Sequence, residues 1–495
     1  MSSAAEAAPP PVALTPREIK VVLFGALLAL FLAALDQTIV ATALPVIGKD
    51  LGDFHLIGWI ITSYMLTATA GTPILGKLGD LYGRRRLLYG CMVLFLIASV
   101  LCAISTTMVQ LILARAVQGL AGGGLMTTVQ ALVGEIISPR ERARYAAFFS
   151  MTWAAASLAG PILGGVFAAH VGWPWVFWIN IPLGLAAMAV VVVALRKLPL
   201  QTRPARIDAP SILWLLVGST TLLLAISEGG TSATWGMPVI AGLLVAGVGG
   251  LWFFFRRQTK VDEPILPPHF LTDRVIGPTL ASIFIVFGAY LAVAVLAPTY
   301  LQVGLGATPD FAGLMMIPFM LSVPVTAFFG GQYVKKTGKY RLPVLVGIPF
   351  AVIALLIQAA FAGQLPAWLA ALLLIPIGLG IGPIFPTTIV ASQNAVAKRD
   401  LGAITGAFGF VRSLGGAVLM AGGTAMVLGL IAAWTPSLSS AGGLEGLARA
   451  ALTPEDRLTI SNAFGVLFLV TAVLMLVGLA VYARVEERPL RSSND

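Results

Sequence analysis

Charged residues make up only 11% of this chain, against the roughly one quarter that a soluble domain uses to coat its surface. That scarcity excludes an ordinary water-soluble globule. Cysteine is nearly absent. Cys91 and Cys102 lie eleven residues apart on one expected helix, about 16 Å of rise, which is too far for a disulfide. The three histidines, His55, His170 and His269, are scattered without metal-ligand spacing. There is no GxxxxGK[ST] loop to indicate ATP hydrolysis. No nucleophile–base constellation stands out, so no enzyme activity, metal or cofactor is expected. The net charge of +10 is spread as short basic clusters between apolar runs, not as a continuous aromatic-interleaved face, which argues against nucleic acid as a partner.

What is present is hydrophobic: 58% of the residues are apolar and 53 are glycine, a composition suited to close helix packing in a lipid bilayer. Runs of about 20 apolar residues read as spans. Six lie near 20–44, 57–79, 87–106, 109–134, 145–169 and 174–196; a pair lies near 209–228 and 236–255; six more lie near 275–301, 310–333, 342–362, 366–395, 402–432 and 461–483. With the N-terminus in the cytoplasm, alternating loops place 26 of the 31 Lys and Arg residues on the cytoplasmic side. Lys49, Arg449 and Arg457 fall outside, and Arg115 and Arg412 fall within spans. This is the positive-inside bias of a multi-pass protein with both termini in the cytoplasm. The first fifteen residues are small and Pro-rich and lack the pattern of a secretory signal.

The expected fold class is therefore an all-α membrane protein with fourteen spans. Residues 1–19 form a cytoplasmic tail, 20–197 an N-terminal six-helix bundle, 198–260 a two-helix insertion, 261–485 a C-terminal six-helix bundle and 486–495 a second tail. An internal repeat supports the two bundles. Gly58, Gly76 and Gly83 recur as Gly313, Gly331 and Gly338 at an offset of 255, so that GKLGDLYGRRR has a degenerate twin, GQYVKKTGKYR. Two similar six-span halves are a transporter signature. Residues 434–459 read as an outer loop with a short amphipathic helix, serving as a cap or as a binding element.

Asp36 is the one carboxylate deep inside a span of the first half. An intramembrane acid is a functional candidate by default. Burial favours its neutral form and a bound cation its charged form, so it could exchange a proton for a cationic substrate. Arg115 and Arg412 must face a bundle interior or a wet cavity; Arg412 is expected to hold an anionic partner or to bridge the halves. Gly160, Pro161, Gly164 and Gly165 give one helix a small, closely packing face. Glu228 and Asp310 sit at outer span ends, either at the interface or in a cation vestibule. Tyr64, Trp153, Tyr290, Met315 and Met316 are by default packed or lipid-facing; the alternative is that some line a permissive apolar cavity, and the sequence does not select which.

Several motifs carry a family resemblance. Gly76-Lys-Leu-Gly-Asp80-Leu-Tyr-Gly83-Arg84-Arg-Arg lies between spans two and three. Leu111 to Gly124, with Arg115, Gln118 and Gly119, forms span four. Gly160-Pro161-Ile-Leu-Gly164-Gly165 lies in span five, although the glycine expected ahead of it is Ala156. Leu35-Asp36-Gln-Thr38 through Pro45 lies in span one, and Trp173 to Gly184 opens span six. In that order they resemble the major facilitator superfamily, and within it the fourteen-span drug:proton antiporters of the EmrB/QacA type.

The resemblance implies a major facilitator fold in a bacterial inner membrane. It implies export of small lipophilic, often cationic compounds in exchange for protons, by a monomer. An endogenous lipid or amphiphile is the alternative cargo, and a receptor or enzyme a remote one. It further implies a proton-coupling role for Arg115 and control of the inter-half interface by the span-five motif. Asp80 would meet the start of the helix near Leu401 in the other half, with Gly76, Gly83, Arg84 and Glu135 completing a latch. Because Lys335 replaces the acid in the twin loop, only the first copy is expected to act as an acidic latch. The other reading of the first loop is a topological anchor alone.

Overall fold

The computed structural model describes residues 15–53, 56–196, 208–230, 236–435, 447 and 452–491. The outer loop at 434–459 lies largely outside them. Every regular element among the described residues is helical. The first group comprises α1 (Pro16–Leu51), α2 (Trp59–Tyr82), α3 (Arg84–Ala103), α4 (Met108–Ile136), α5 (Pro139–Val166), α6 (Trp175–Trp178) and α7 (Asn180–Leu195). Next come α8 (Ala209–Gly230) and α9 (Met237–Gln258). The second group is α10 (His269–Thr272), α11 (Ile276–Thr299), α12 (Pro309–Thr337), α13 (Leu342–Ala360), α14 (Ala367–Ile381), α15 (Ile384–Ala395), α16 (Leu401–Trp434) and α17 (Pro454–Tyr482).

Among the described residues, thirteen helical segments are long and apolar enough to cross a membrane. α2 has the length, at 24 residues, but not the apolarity. Its Ser63, Thr69 and Lys77 are buried, and its main neighbours are α4 and α16. Polar residues are tolerated there because protein, not lipid, surrounds them. α1 begins at Pro16, inside the stretch expected to be tail. The Thr15 hydroxyl accepts from the Glu18 amide and the Glu18 carboxylate accepts from the Thr15 amide, a reciprocal cap that starts the helix early.

Within the first group α1 packs on α5 and α7, and α2 and α3 pack on α4. Within the second, α11 packs on α16 and α17, and α13 on α14 and α17. The groups meet along α2–α16, α5–α12 and α5–α15. The repeat glycines Gly83 and Gly338 end α2 and α12 with φ of 90° and 73°, a left-handed region in which glycine meets no Cβ penalty. The start of α1, the end of α17 and the basic loops around Arg84, Arg140, Lys335 and Lys398 lie at one end of the helices, called the basic end below. The start of α1 packs there against Ile137 and Tyr145, and the end of α17 against Tyr340.

α8 and α9 form a hairpin that packs through α8 on α2 and α16, beside the seam between the groups. Arg257 donates to both carboxylate oxygens of Asp208 at 2.5 and 2.7 Å. Those bonds hold Asp208 well below the usual carboxylate range. Past the hairpin, Glu263 pairs with buried Lys77 of α2. The insertion is thus tied to the helix that carries the first repeat loop.

The segment after α17, expected to be a tail from 486, is docked through Arg491. Tyr340 donates to the Glu486 carbonyl at 2.6 Å and accepts from the Arg488 amide at 2.7 Å. Asn394 donates to the Pro489 carbonyl and accepts from the Arg491 amide, both at 3.2 Å. Arg488 reaches Asp273 at 3.2 Å. Burial opposes ionisation of Asp273, but the Val275 and Ile276 amides and Arg488 outweigh it and keep its carboxyl below the ordinary range. Its folded value is below its unfolded one, so its stabilising contribution is complete at neutral pH and fades as pH falls through the folded value. Tyr340→Phe removes two hydrogen bonds worth about 1 kcal/mol each. Amide protection at 486–491, taken relative to an unfolded chain at the same pH, is expected to fall at least tenfold in that variant, and to fall in wild type below about pH 4. Unchanged protection in both would mean that Tyr340 and Asp273 do not hold the strap.

Candidate functional site

The first polar cluster lies inside the first helix group. Asp36 of α1 has no exposed surface. Arg115 of α4 donates to its Oδ2 at 2.6 Å, while Gln118 and Asn180 donate to Oδ1 at 2.9 and 2.8 Å. Arg115 also donates to Gln118 Oε1 at 2.7 Å and to the Ile60 carbonyl at 3.3 Å, with its guanidinium 4.3 Å from the Tyr64 ring centroid. Ser99 of α3 accepts from Gln118 at 2.8 Å. Five helices thus close around one ion pair. Arg115 and Gln118 meet Asp36 together because they lie one helical turn apart on α4. Protonation of Asp36 would leave the Arg115 charge unbalanced, so proton binding and the helix arrangement are physically linked. A cation has no access to this carboxylate in the arrangement seen, which differs from the expected direct exchange of proton for cation at Asp36.

The second cluster joins the groups at the basic end. Asp80 accepts from the Gly402 and Ala403 amides, at 2.9 and 2.8 Å, at the start of α16. A carboxylate at a helix N-terminus satisfies orphan amides and the helix dipole together. Arg84 donates to Asp80 at 2.6 Å, to Glu135 at 2.7 Å and to the Lys398 carbonyl at 3.0 Å. Gly83 breaks the helix between Asp80 and Arg84, yet the i, i+4 pair still forms. A Cβ on Gly76 would clash with the Gly402 carbonyl, and one on Gly402 with the Gly76 carbonyl. The two backbones meet where only glycine fits.

The twin loop also bridges the groups, contrary to an anchor role alone. Lys335 pairs with Glu141 of α5 at 3.1 Å, and Arg140 donates to the Lys335 and Lys336 carbonyls at 3.0 and 3.1 Å. Here the acid sits in the first turn of the helix it stabilises, and the base comes from across the seam. The bridge is kept with its polarity reversed, a possibility that the twin-loop sequence viewed by itself does not reveal.

Two glycines of the span-five motif make the close helix contact expected of a small face. A Cβ on Gly160 would strike Thr38 of α1, and one on Gly164 would strike Thr42 and the Ile39 carbonyl. Thr38 donates to the Ala156 carbonyl at 2.9 Å. These glycines therefore seat α5 on α1, within the same group. Pro161 and Gly165 are exposed, and nothing lies within 4 Å of a Cβ built at Gly165. Pro161 and Gly165 follow Ser157 at helical spacing on the face of α5 that lines the cavity between the groups.

Between the groups lies a cavity of about 240 Å³. α5 lines it with Phe149, Ser150, Trp153 and Ser157, and α4 adds Gln130. The other group supplies Phe287, Tyr290, Met320, Phe385, Phe408 and Arg412. Trp153 and Tyr290, by default packed or lipid-facing, belong to its wall. An aromatic in a span looks the same to a hydropathy pattern whether it faces lipid or a cavity. Arg412 lies eleven residues into α16, about 16 Å from its basic end.

Asp310 is exposed in the first turn of α12, at the end opposite the basic one, and Glu228 is on α8 with its side chain outside the described residues. No group of three or more potential metal-ligating side chains occurs among the described residues.

Helix order, seam and central cavity together define a multi-pass membrane transporter fold, and the comparisons name its family. The Major Facilitator Superfamily description matches residues 26–420, and the chain belongs to that superfamily. The multidrug transporter protein MdtP of Bacillus subtilis is 34% identical over 393 residues, 79% of this chain and 72% of that protein. Multidrug resistance protein 3 of Bacillus subtilis is 32% identical, over 80% of this chain and 77% of that protein. An MFS-type transporter of Mycobacterium tuberculosis, itself uncharacterized, is 33% identical over 81% of this chain; the match spans 58% of that relative's own length. Among solved structures, a bacterial homologue of the iron transporter ferroportin in an outward-facing state superposes with a TM-score of 0.63 at 13% identity, covering 95% of this chain and all of that one. That likeness concerns the fold alone.

Proposed function

We propose that the protein is a fourteen-span, proton-driven exporter of lipophilic small molecules, with α2 as the span that hydropathy under-reads and with the basic end in the cytoplasm. The clustering of bases supports that orientation. The observation that carries the mechanism is the path from ion pair to cavity. Asp36 sits on α1 two residues from Thr38, which is bonded to α5, and α5 lines the cavity with Trp153 and Ser157. A proton arriving at Asp36 frees Arg115, changes how α1 and α4 hold together, and is felt at the cavity through α5. Asp80, Arg84 and Glu135, with the Lys335–Glu141 bridge, close the cytoplasmic side when the cavity faces outward, and their release opens it inward. The similarity to a multidrug transporter and a multidrug resistance protein of Bacillus subtilis supports a drug-like small-molecule cargo. Proteoliposomes with the protein oriented basic end outward, loaded at acidic internal pH and given a lipophilic dye outside, should take up dye. A proton ionophore should abolish that uptake. Uptake indifferent to the ionophore would exclude proton coupling.

A further inference from the structure

Arg412 is a cation without a counter-ion. Among the described residues no carboxylate and no hydrogen-bond acceptor meets it, and its Nε is buried with no partner. This separates it from the other buried arginines of the spans: Arg115 has Asp36, and Arg84 has Asp80 and Glu135. An unmatched guanidinium at this depth is costly and persists only where something compensates it. Its one specific contact is the Phe287 ring, 5.5 Å away, which Phe385 meets edge-on at 5.8 Å. The guanidinium is also among the groups lining the cavity, whose other polar groups, Gln130, Ser150, Ser157 and Tyr290, are all neutral. The cavity thus presents one fixed positive charge beside aromatic walls, and no negative charge.

From this juxtaposition we infer that the cavity binds amphiphilic monoanions, with Arg412 taking the acidic head and the Phe287, Tyr290 and Trp153 rings taking an aromatic or alkyl body. The inference rests on the export reading and gives its cargo a charge opposite to the cationic preference expected from sequence. A planar carboxylate can accept two parallel bonds from a guanidinium, whereas an ammonium or a quaternary cation would face repulsion. The dry walls strengthen that discrimination, because a charge pair out of water is screened less. Free aromatic acids and fatty acids share this chemistry.

The test uses the full-length protein in nanodiscs of phosphatidylcholine, which carries no net charge. Binding of naphthoate, naphthamide and naphthylmethylammonium is measured by calorimetry, with laurate as a fourth probe. In wild type, naphthoate is expected to bind at least tenfold tighter than naphthamide, the ratio that one charge-assisted bond supplies. Arg412→Gln should remove that ratio while keeping naphthamide affinity, Arg412→Lys should keep part of it, and Phe287→Ala should weaken all aromatic probes. A monodisperse Arg412→Lys protein guards against a folding defect in the Gln variant. Competition between laurate and naphthoate extends the site to fatty acids; laurate binding that leaves naphthoate unaffected confines it to aromatic acids, and both results support an anion site at Arg412. Equal affinity for naphthoate and naphthamide, or a preference that survives Arg412→Gln, overturns the proposal. So does displacement of naphthoate by millimolar chloride, which would make Arg412 a seat for a bulk counter-ion. If naphthoate binding fails while dye export proceeds, the anion site is wrong and the exporter stands; if it binds without any export, the reverse holds.

Discussion

Asp36→Asn is expected to abolish proton-driven export and to lower thermal stability together. The variant keeps the shape of the side chain and can still accept from Gln118 or Asn180. It loses the charge that balances Arg115, which then stands unpaired in a site without exposed surface. Removing one partner of a buried pair costs about 3–5 kcal/mol. For a membrane protein of this size that is a loss of many degrees in unfolding temperature and a risk to expression. Loss of transport alone would therefore be ambiguous. The double variant Asp36→Asn with Arg115→Gln separates the two effects. It removes both charges, so stability measured by thermal unfolding should recover most of the loss. Export measured in proteoliposomes should not recover, because no carboxylate remains in the cluster. Recovery of proton-dependent export in the double variant would move proton coupling away from Asp36 and Arg115.

The second large effect is expected at the seam. Asp80→Asn removes a charge that receives two amides from the start of α16 and one bond from Arg84. Charge-assisted bonds of this kind contribute about 1.5–3 kcal/mol each. They exist only while the basic end is closed, so losing even one shifts the balance of open and closed forms by tenfold or more. Transport should fall by at least that factor with normal membrane insertion. The closed form can be read directly: with cysteines introduced as Arg140→Cys and Lys336→Cys, which sit across the second bridge, cross-linking should drop in the Asp80→Asn background. Cys91 and Cys102 are buried and do not compete. Gly76→Val tests the same closure sterically, since its Cβ has no room against the Gly402 carbonyl. Wild-type transport and cross-linking in both variants would return the first loop to a topological anchor.

The strap at 483–491 and the α8–α9 hairpin add restraints that act on the same end. Lys77 and Asp80 lie on one short stretch of α2, yet one is bound to Glu263 beyond the hairpin and the other to α16. A change in how the hairpin seats on α2 therefore reaches the latch directly, through a single helix turn.

The sequence by itself determined the helices, their number to within the ambiguity of α2, and the end at which the bases gather. It also marked Asp36, Arg115, Arg412 and the Gly76–Arg84 loop. Those features are local: twenty apolar residues, a charge that lipid rejects, or a glycine ending a helix each act within a few residues of chain, so a one-dimensional reading captures them. The tertiary structure alone decided the pairings. Asp36 and Arg115 are 79 residues apart, and Asp80 meets an amide 322 residues away. Which base answers which acid depends on the register and rotation of packed helices, and hydropathy carries no information about either. The same holds for Gly160 and Gly164, whose partner helix, α1, only packing identifies. It holds most of all for Arg412. The sequence shows a charge that must be accommodated; only the assembled walls show that nothing among the described residues balances it.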